Sequence, residues 1–429
     1  MIQTVSGTMP YVFPMGLISL LNGLQQPKLG LFSGEVKAEH LRHARVVVLP
    51  VHWFYSIPPA MELARRIKRA NRNIRIVSGG YTATLFADSL VQDGAIDVVV
   101  RGDADGIFNE LVEKLLREES FDHLPNLSFP GGRTPTEYTI TPEQYAQSNY
   151  RDIGWHPSFH RIAMRSQSIS EVSYLYPWIA VARGCTFSCN NCMAAPNVQR
   201  KFFKRSLVAR PPWAVREDLH YYSMHRGIKH CHFNTDFINT LGMRHAEEIL
   251  DGSHFDLSCY YEWYRYPTRE GVDLLLRSFR RVNLGIFLNP EGQCANQDSS
   301  QASSSVERLL ELVESYRKNQ AVKWILYVDP WFLRTIPAYS KWASRFSVQD
   351  NLRINRIDQR VLPPLNHLDG RGLESLYRKL HRRAVEELPG ILRRQALISP
   401  LFRYWPGLVS LLFRINSRQL KRRIKKMNA

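Results

Sequence analysis

The chain has 429 residues, 44% of them hydrophobic and 22% charged, with a formal net charge of +18. That length accommodates two or three domains with buried cores, and the composition is that of a globular protein rather than a disordered or fibrous one. No run approaches the ~20 uninterrupted apolar residues that span a bilayer. Six cysteines in a chain of this length, with no basic-then-apolar leader, argue against a secreted disulfide framework and point to the cytoplasm.

The first third alternates between short apolar runs and amphipathic stretches. Val46-Val47-Val48-Leu49-Pro50-Val51 is continuous and apolar, as expected for a strand covered on both faces. Pro58 to Asn71 spaces Met61, Leu63, Ala64 and Ile67 as an amphipathic helix, with proline at its start where the missing N–H costs nothing. Ile74-Arg75-Ile76-Val77 is a second strand running into Ser78-Gly79-Gly80, and a helix follows from about Thr84 to Gln92. Asp97 to Val100 is a third strand, ending in Arg101-Gly102-Asp103 before a helix through Leu116. Strands alternating with helices imply a parallel sheet with right-handed crossovers. Ligands of such sheets bind outside the carboxyl ends of the strands, where Ser56, Gly79, Gly80 and Gly102 fall. Residues 121–175 lack strong periodicity and carry Pro125, Pro130, Gly131, Gly132, Pro135 and Pro142, so they are expected to form a surface connector.

From Pro177 the alternation resumes. Trp178 to Ala182 is expected as a strand that leads directly into Cys185, Cys189 and Cys192. The spacing C-x3-C-x2-C suits three thiolates on one loop holding three irons of a [4Fe–4S] cluster, the fourth iron being left open to a substrate or cofactor. Zinc is the competing reading, but structural zinc sites use four ligands, commonly in paired C-x2-C groups, and Cys231, Cys259 and Cys294 are single and far apart. Beyond the cysteines come four helix–strand repeats, which with strand 178–182 make five strands. Helix 211–225 precedes strand 229–234, helix 242–250 precedes strand 257–263, and helix 268–278 precedes strand 282–288. Helix 304–318 then precedes strand 322–328. This is the pattern of a full or partial β/α barrel, whose active face is the rim at the strand ends. Asn234, Asp236, Glu262, Arg265, Asn289 and Glu291 cluster there. From Arg378 to Ala429 fourteen Lys/Arg stand against two acids, so most of the charge belongs to the tail. That weakens a nucleic-acid reading of the whole chain.

The run Arg183-Gly184-Cys185-x3-Cys189-x2-Cys192 after a strand, with a barrel beyond, resembles the radical S-adenosylmethionine (SAM) superfamily. The N-terminal part resembles the cobalamin-binding domain fused to one large class of these enzymes. Ala64 to Lys68, Ile76 to Thr84, Asp97 to Asp103, and Met9 to Leu20 with Pro14-Met15-Gly16-Leu17 carry that likeness, which spans residues 9 to 330. The implied fold is α/β: a Rossmann-like (flavodoxin-like) cobalamin-binding domain over residues 1–120, a linker over 121–175, a partial (β/α)6 radical SAM barrel over 176–330, and a basic, partly helical extension over 331–429. The sequence departs from the family at several points. Asn191 stands where a bulky residue is usual, Asp103 takes the place of a glutamate, and the Asp-x-His-x-x-Gly loop is absent, so no histidine ligand to cobalt is expected. The family's first strand is expected to be missing, leaving a trimmed start.

The resemblance implies a [4Fe–4S] cluster on Cys185, Cys189 and Cys192, with SAM chelated at the open iron and cleaved to a 5′-deoxyadenosyl radical. Cobalamin would supply a methyl group, making the chain a methyltransferase acting on an unactivated carbon. The alternatives are a non-methylating rearrangement or oxidation, and an electron carrier in which Cys231 or Glu291 closes the cluster. Gly79, Gly80, Thr82 and Gly102 are candidates to approach the corrin or its nucleotide tail. They equally suit an ordinary strand-to-helix turn, with Thr82 and Thr84 as helix caps. His52 is either a corrin neighbour or a packed histidine. Asn234, Asp236, Glu262 and Glu291 are candidates for SAM or substrate, or else solvated rim residues. Expected partners are a small-molecule or biosynthetic-intermediate substrate and an electron donor such as flavodoxin or ferredoxin. The basic and aromatic tail reads as a solvated helix, as a contact with an anionic membrane surface, or as a grip on an acidic partner. The membrane periphery is favoured over nucleic acid.

Overall fold

The computed structural model describes residues 2–6, 15–52, 56–169, 177–187, 193–265, 267–287, 311–312, 315–316 and 318–327. The first domain runs β1 (Ile2–Ser6), α1 (Met15–Asn22), β2 (Lys28–Phe32), α2 (Ala38–His43), β3 (Val46–Pro50), α3 (Ile57–Ala70), β4 (Arg75–Gly79), α4 (Tyr81–Leu85), α5 (Ala87–Gln92) and β5 (Val98–Val100). These five strands are parallel and ordered β2-β1-β3-β4-β5. That is the flavodoxin-like order, which reverses direction between β1 and β3. The first strand is therefore present. Ile2–Ser6 pairs with Lys28–Phe32 on one side, and Ile2–Thr4 pair with Val46–Val48 on the other. Neither β1 nor β2 is the continuous apolar run that marks β3, and β2 has a glycine at its centre. Gly30 is required there, because a Cβ would lie 2.6 Å from three atoms of His156.

After α6 (Phe108–Arg117), residues 121–175 do more than connect. β6 (Leu127–Phe129) and β7 (Gly132–Arg133) add two antiparallel strands to the β5 edge, and α7 (Pro142–Ala146) and α8 (Pro157–Ile169) follow. The Gly30 amide donates to the Trp155 carbonyl at 2.6 Å. Asn22 donates to the carbonyls of Asn149 and Asp152 and accepts the Trp155 indole N–H. Proline and glycine hid this packing in the sequence, because the order comes from tertiary contacts and not from periodicity.

The second domain contains β8 (Trp178–Ile179), β9 (Ala182–Arg183), α9 (Pro196–Phe203), β10 (Val208–Ala209), α10 (Pro212–Met224), β11 (His230–Phe233), α11 (Phe237–Leu241), α12 (Met243–Leu250), β12 (Phe255–Trp263), α13 (Arg269–Ser278), β13 (Phe279–Phe287) and β14 (Val322–Tyr327). β8, β11, β12, β13 and β14 form a five-stranded parallel sheet in sequential order, the open-barrel arrangement. Alternation assigns its faces. Phe233, Leu257, Tyr261 and Trp263 pack with Leu219, Ile249 and Val272 of the covering helices. The other face carries Trp178, His232, Tyr260 and Asn283 in register, with the His232 ring stacked 4.2 Å from Trp178 and 4.8 Å from Tyr260. One apolar cluster runs through both domains, from Leu17 and Val77 to Ile179, Phe233 and Leu284. No described helix is long and apolar enough to cross a membrane. The tail from 331 to 429 lies outside the described residues.

Burial pushes His156 down to about 4 and His232 to about 3, against an ordinary value of 6.5. Both rings are thus held neutral in the fold, while the unfolded chain protonates first as the pH drops below 6.5. Each histidine then removes up to ~1.4 kcal/mol of stability per pH unit until its folded value is reached. Urea denaturation between pH 7 and pH 5 should show this fall, and His232→Gln should flatten it. An unchanged slope in the variant would overturn the assignment for His232.

Candidate active site

The strand expected over 178–182 breaks after Ile179, and Asn234 explains the break. Its main-chain N–H donates to the Ile179 carbonyl at 3.1 Å, ending the β8–β11 ladder. Its side-chain oxygen then accepts the Val181 N–H, and its amide nitrogen donates to the Ala182 carbonyl, both at 2.8 Å. The side chain replaces a strand partner, so the chain turns out of the sheet and Ala182–Arg183 pair instead with Val208–Ala209. Asn234 is therefore engaged in supporting the approach to the cysteine loop.

Cys185 follows Gly184, whose φ of +88° and a would-be Cβ contact of 3.2 Å to Leu207 Cα leave no room for a side chain. The Cys185 sulfur is buried, 3.4 Å from the Phe187 amide and 3.8 Å from the Thr240 hydroxyl. Burial pushes its thiol up, while these two donors favour the thiolate. Donors aimed at a sulfur are what an iron–sulfur ligand requires, so this position fits a cluster. Cys189 and Cys192 lie outside the described residues, as does Glu291.

Asp236 also acts as a support. Fully buried, it accepts from the Tyr261 hydroxyl (2.7 Å), the Tyr264 amide (2.8 Å), and the Asn239 backbone (3.2 Å) and side-chain (2.8 Å) nitrogens. Burial raises its pKa. It caps α11, the helix that presents Thr240 to Cys185. Glu262, two residues beyond Tyr260 on the inner face, accepts that tyrosine's hydroxyl at 3.2 Å and stays partly exposed. Arg265 lies over the Phe187 ring at 4.4 Å, which brings the β12 exit against the cysteine loop. Among the described barrel residues the mouth therefore gathers Cys185, Thr240, Glu262 and Arg265.

On the first domain the candidates divide differently. Gly80 has φ +109°, and a Cβ would sit 2.9 Å from the Val51 carbonyl oxygen, so the β4–α4 turn itself demands glycine. Thr82 donates to the His52 carbonyl at 2.9 Å. Thr84 donates to the Gly80 carbonyl and accepts the Gly102 N–H, both at 3.0 Å, stitching the two glycine turns together. Gly102 faces Phe203 of α9. Gly79, whose would-be Cβ meets only the Val100 oxygen at 3.7 Å, is the open position on this edge. Beside it stands His52, lowered by burial to about 4 and 4.8 Å from the Tyr81 ring. The exits of β1 and β3, where the sheet order reverses, lie at 7–14 and 53–55, outside the described residues.

Sequence reasoning missed the junction between the domains. Asp103, 4% exposed, accepts from Arg205 Nε at 2.5 Å and Nη2 at 3.0 Å, and from the Ile140 amide at 3.2 Å. Arg183 approaches Asp103 at 3.4 Å and pairs with Asp105 through two bonds, at 2.6 and 2.8 Å. Burial alone would raise the Asp103 carboxyl, but Arg205 and Arg183 hold it below the ordinary value. Burial likewise opposes the Arg183 charge, and Asp105 keeps it protonated. Around this junction Met193, Ala195, Val198 and Phe203 pack on Tyr81 and Leu85. Asp103 and Arg183 stood in motifs, whereas Arg205 had no local signal.

By fold the chain is a flavodoxin-like parallel-sheet domain followed by an open β/α barrel, the architecture of a cobalamin-binding radical SAM methyltransferase structure. It is similar to TsrM of Kitasatospora setae, a radical SAM methyltransferase. The TsrM structure with tryptophan substrate and aza-SAM bound matches with a TM-score of 0.53 and 16% identity, over 80% of this chain and 71% of that one. The TsrM structure with cobalamin and a [4Fe–4S] cluster bound gives 0.52 and 16%, over 80% and 73%. In sequence the chain is 24% identical to the hopanoid C-3 methylase of Methylococcus capsulatus over 177 residues. It is 26% identical to an uncharacterized methyltransferase of Pyrococcus horikoshii over 192 residues. These matches cover 41% and 44% of this chain but only 32% and 39% of those two relatives. No family model matches.

A support differs from a cofactor contact in the apo protein. Replacing Asn234 by Ala removes two backbone bonds and should lower apo stability by about 1–3 kcal/mol in chemical denaturation. Wild-type stability in the cofactor-free variant would overturn this role.

Proposed function

We propose that the chain is a cobalamin-dependent radical SAM methyltransferase acting on an unactivated carbon. The observation that carries this reading is the buried Cys185 sulfur at the barrel mouth, in a loop tied to the carboxyl edge of the first sheet. Two cofactor sites then share one interface, as methyl transfer between them requires. When bound, the cluster supplies one electron to the SAM sulfonium and the corrin supplies the methyl group. The chain's own residues do the rest. Cys185, Cys189 and Cys192 would ligate iron, and Thr240 and the Phe187 amide would orient the first of these thiolates. Glu262, on the inner face beside Tyr260, would bind a polar group of SAM or substrate. The adjoining rings of Trp178, His232 and Tyr260, with the histidine kept neutral by burial, would floor the cavity and exclude water.

The electron-carrier alternative needs a fourth protein ligand. Cys231 is a poor candidate, since it packs on the helix side of the sheet, paired in register with Cys259 in the apolar core. A small-molecule substrate, an electron donor such as flavodoxin or ferredoxin, a cytoplasmic setting and a membrane-peripheral role for the tail complete the proposal.

Anaerobic reconstitution with iron, sulfide, SAM and methylcobalamin should yield 5′-deoxyadenosine by mass spectrometry, and Cys189→Ala should abolish it. Failure to form it with an intact, reduced cluster would sink the radical reading. Cobalamin retention after gel filtration, followed by its visible absorbance, tests the second cofactor separately.

A further inference from the structure

Arg205 touches one end of the cysteine loop directly and reaches the other through Gln199. Its Nη1 donates to the Arg183 carbonyl at 3.3 Å, just before Gly184 and Cys185, and to Gln199 Oε1 at 2.7 Å. Gln199, fully buried, donates in turn to the carbonyl of Met193, the residue after Cys192, at 2.5 Å. The other side of the same guanidinium is held by Asp103, on the first domain. Asp103 adjoins Gly102, and the Thr84 hydroxyl links the Gly102 amide to the Gly80 carbonyl. A continuous path of hydrogen bonds therefore runs from the glycine turns of the first sheet, through Asp103, Arg205 and Gln199, to both described ends of the loop.

We propose that Asp103, Arg205 and Gln199 are positioning residues that set the span of the cysteine loop, so that the first domain determines whether the three thiolates stand at cluster geometry. The identification of the loop as a cluster site rests on the functional reading above, but the clamp itself does not. None of the three residues would touch the cluster. Their contribution is to hold the two ends of the loop at a fixed separation. A carboxylate of the other domain serves better than a local residue, because it also ties the loop to the edge where the second cofactor would sit. The interface alone needs only the Asp103–Arg205 and Asp105–Arg183 pairs. The Gln199 bond to the Met193 carbonyl lies outside both ion pairs and fixes the backbone at the far end of the loop.

Gln199 therefore separates a clamp from plain interdomain adhesion. Gln199→Met leaves both ion pairs intact, and Gln199→Glu keeps an acceptor for Arg205 while losing the N–H that reaches Met193. In the apo protein, iodoacetamide labelling of Cys185, Cys189 and Cys192, mapped by peptide mass spectrometry, should be about five- to tenfold faster in both variants, the loss expected for one hydrogen bond. Asp103→Asn should accelerate it at least as much. Arg65→Gln, which breaks the Arg65–Asp93 pair on α3, should not change it. In the reconstituted protein, release of iron to a chelator should quicken in the same order, and the EPR line of the reduced cluster should broaden. Wild-type labelling in both Gln199 variants would overturn the clamp, whatever Asp103→Asn does. If the wild-type chain takes up no cluster, the functional reading falls while the labelling still decides the clamp.

Discussion

The arrangement depends on a buried carboxylate that meets two guanidiniums across a domain boundary. Removing one partner of such a pair leaves an uncompensated charge and costs about 3–5 kcal/mol, whereas the intact pair stabilises little over an apolar contact. Its value is therefore in geometry. Asp103 is satisfied from three directions: two Arg205 nitrogens, the Ile140 amide and the nearby Arg183 charge. Only one relative placement of the two sheets meets all of these conditions. The apolar cluster that runs through both domains supplies adhesion, and the charged junction selects the register.

The same economy recurs in the strand ends. Thr84 and Asn234 are polar residues at sheet edges, where sequence reasoning expects ligand contacts, and both are engaged with backbone. Each supplies a bond that the main chain cannot make for itself. Thr84 joins two left-handed glycine turns, and Asn234 ends one ladder so that another can begin. The functional edge is rigid because its polar side chains look inward, and this leaves Cys185, Glu262, Arg265 and Gly79 as the groups turned toward the cavity or open to approach.

The fold was legible wherever a strand is covered on both faces. Val46 to Val51 and Val98 to Val100 are runs of β-branched or apolar residues because no face of them meets water. Ile2–Ser6 and Lys28–Phe32 escaped because their identity as strands comes from neighbours: β1 is placed by β2 and β3, and β2 by His156 and Trp155 from more than a hundred residues away. The cysteine spacing was legible because three thiols on one loop form a purely local pattern. The residues that support them were not, since Arg205, Gln199 and Thr240 gain their meaning only when α9 and α11 fold over the loop. Thr82 is also engaged with the main chain. Its place after two glycines suggests a ligand contact, yet its hydroxyl donates to the carbonyl of His52.

The inner face of the barrel sets a further constraint on the chemistry. A row of Trp178, His232, Tyr260 and Asn283 crosses four adjacent strands at one level, and burial keeps the histidine uncharged. A charged ring at that level would be buried without a compensating charge, so the stack forms with the imidazole neutral. The same face carries His230, Ser258 and Arg281 one step toward the strand starts and Glu262 one step toward the strand ends, where Arg265 lies over Phe187 of the cysteine loop. The aromatic stack is thus one layer of this face, bounded by polar residues on both sides and by Lys323 at its β14 end. Arg183, which leads into the cysteine loop, pairs with Asp105 of the first domain. The interdomain ion pairs therefore bear on the same segment that Thr240 and Arg265 contact from the barrel.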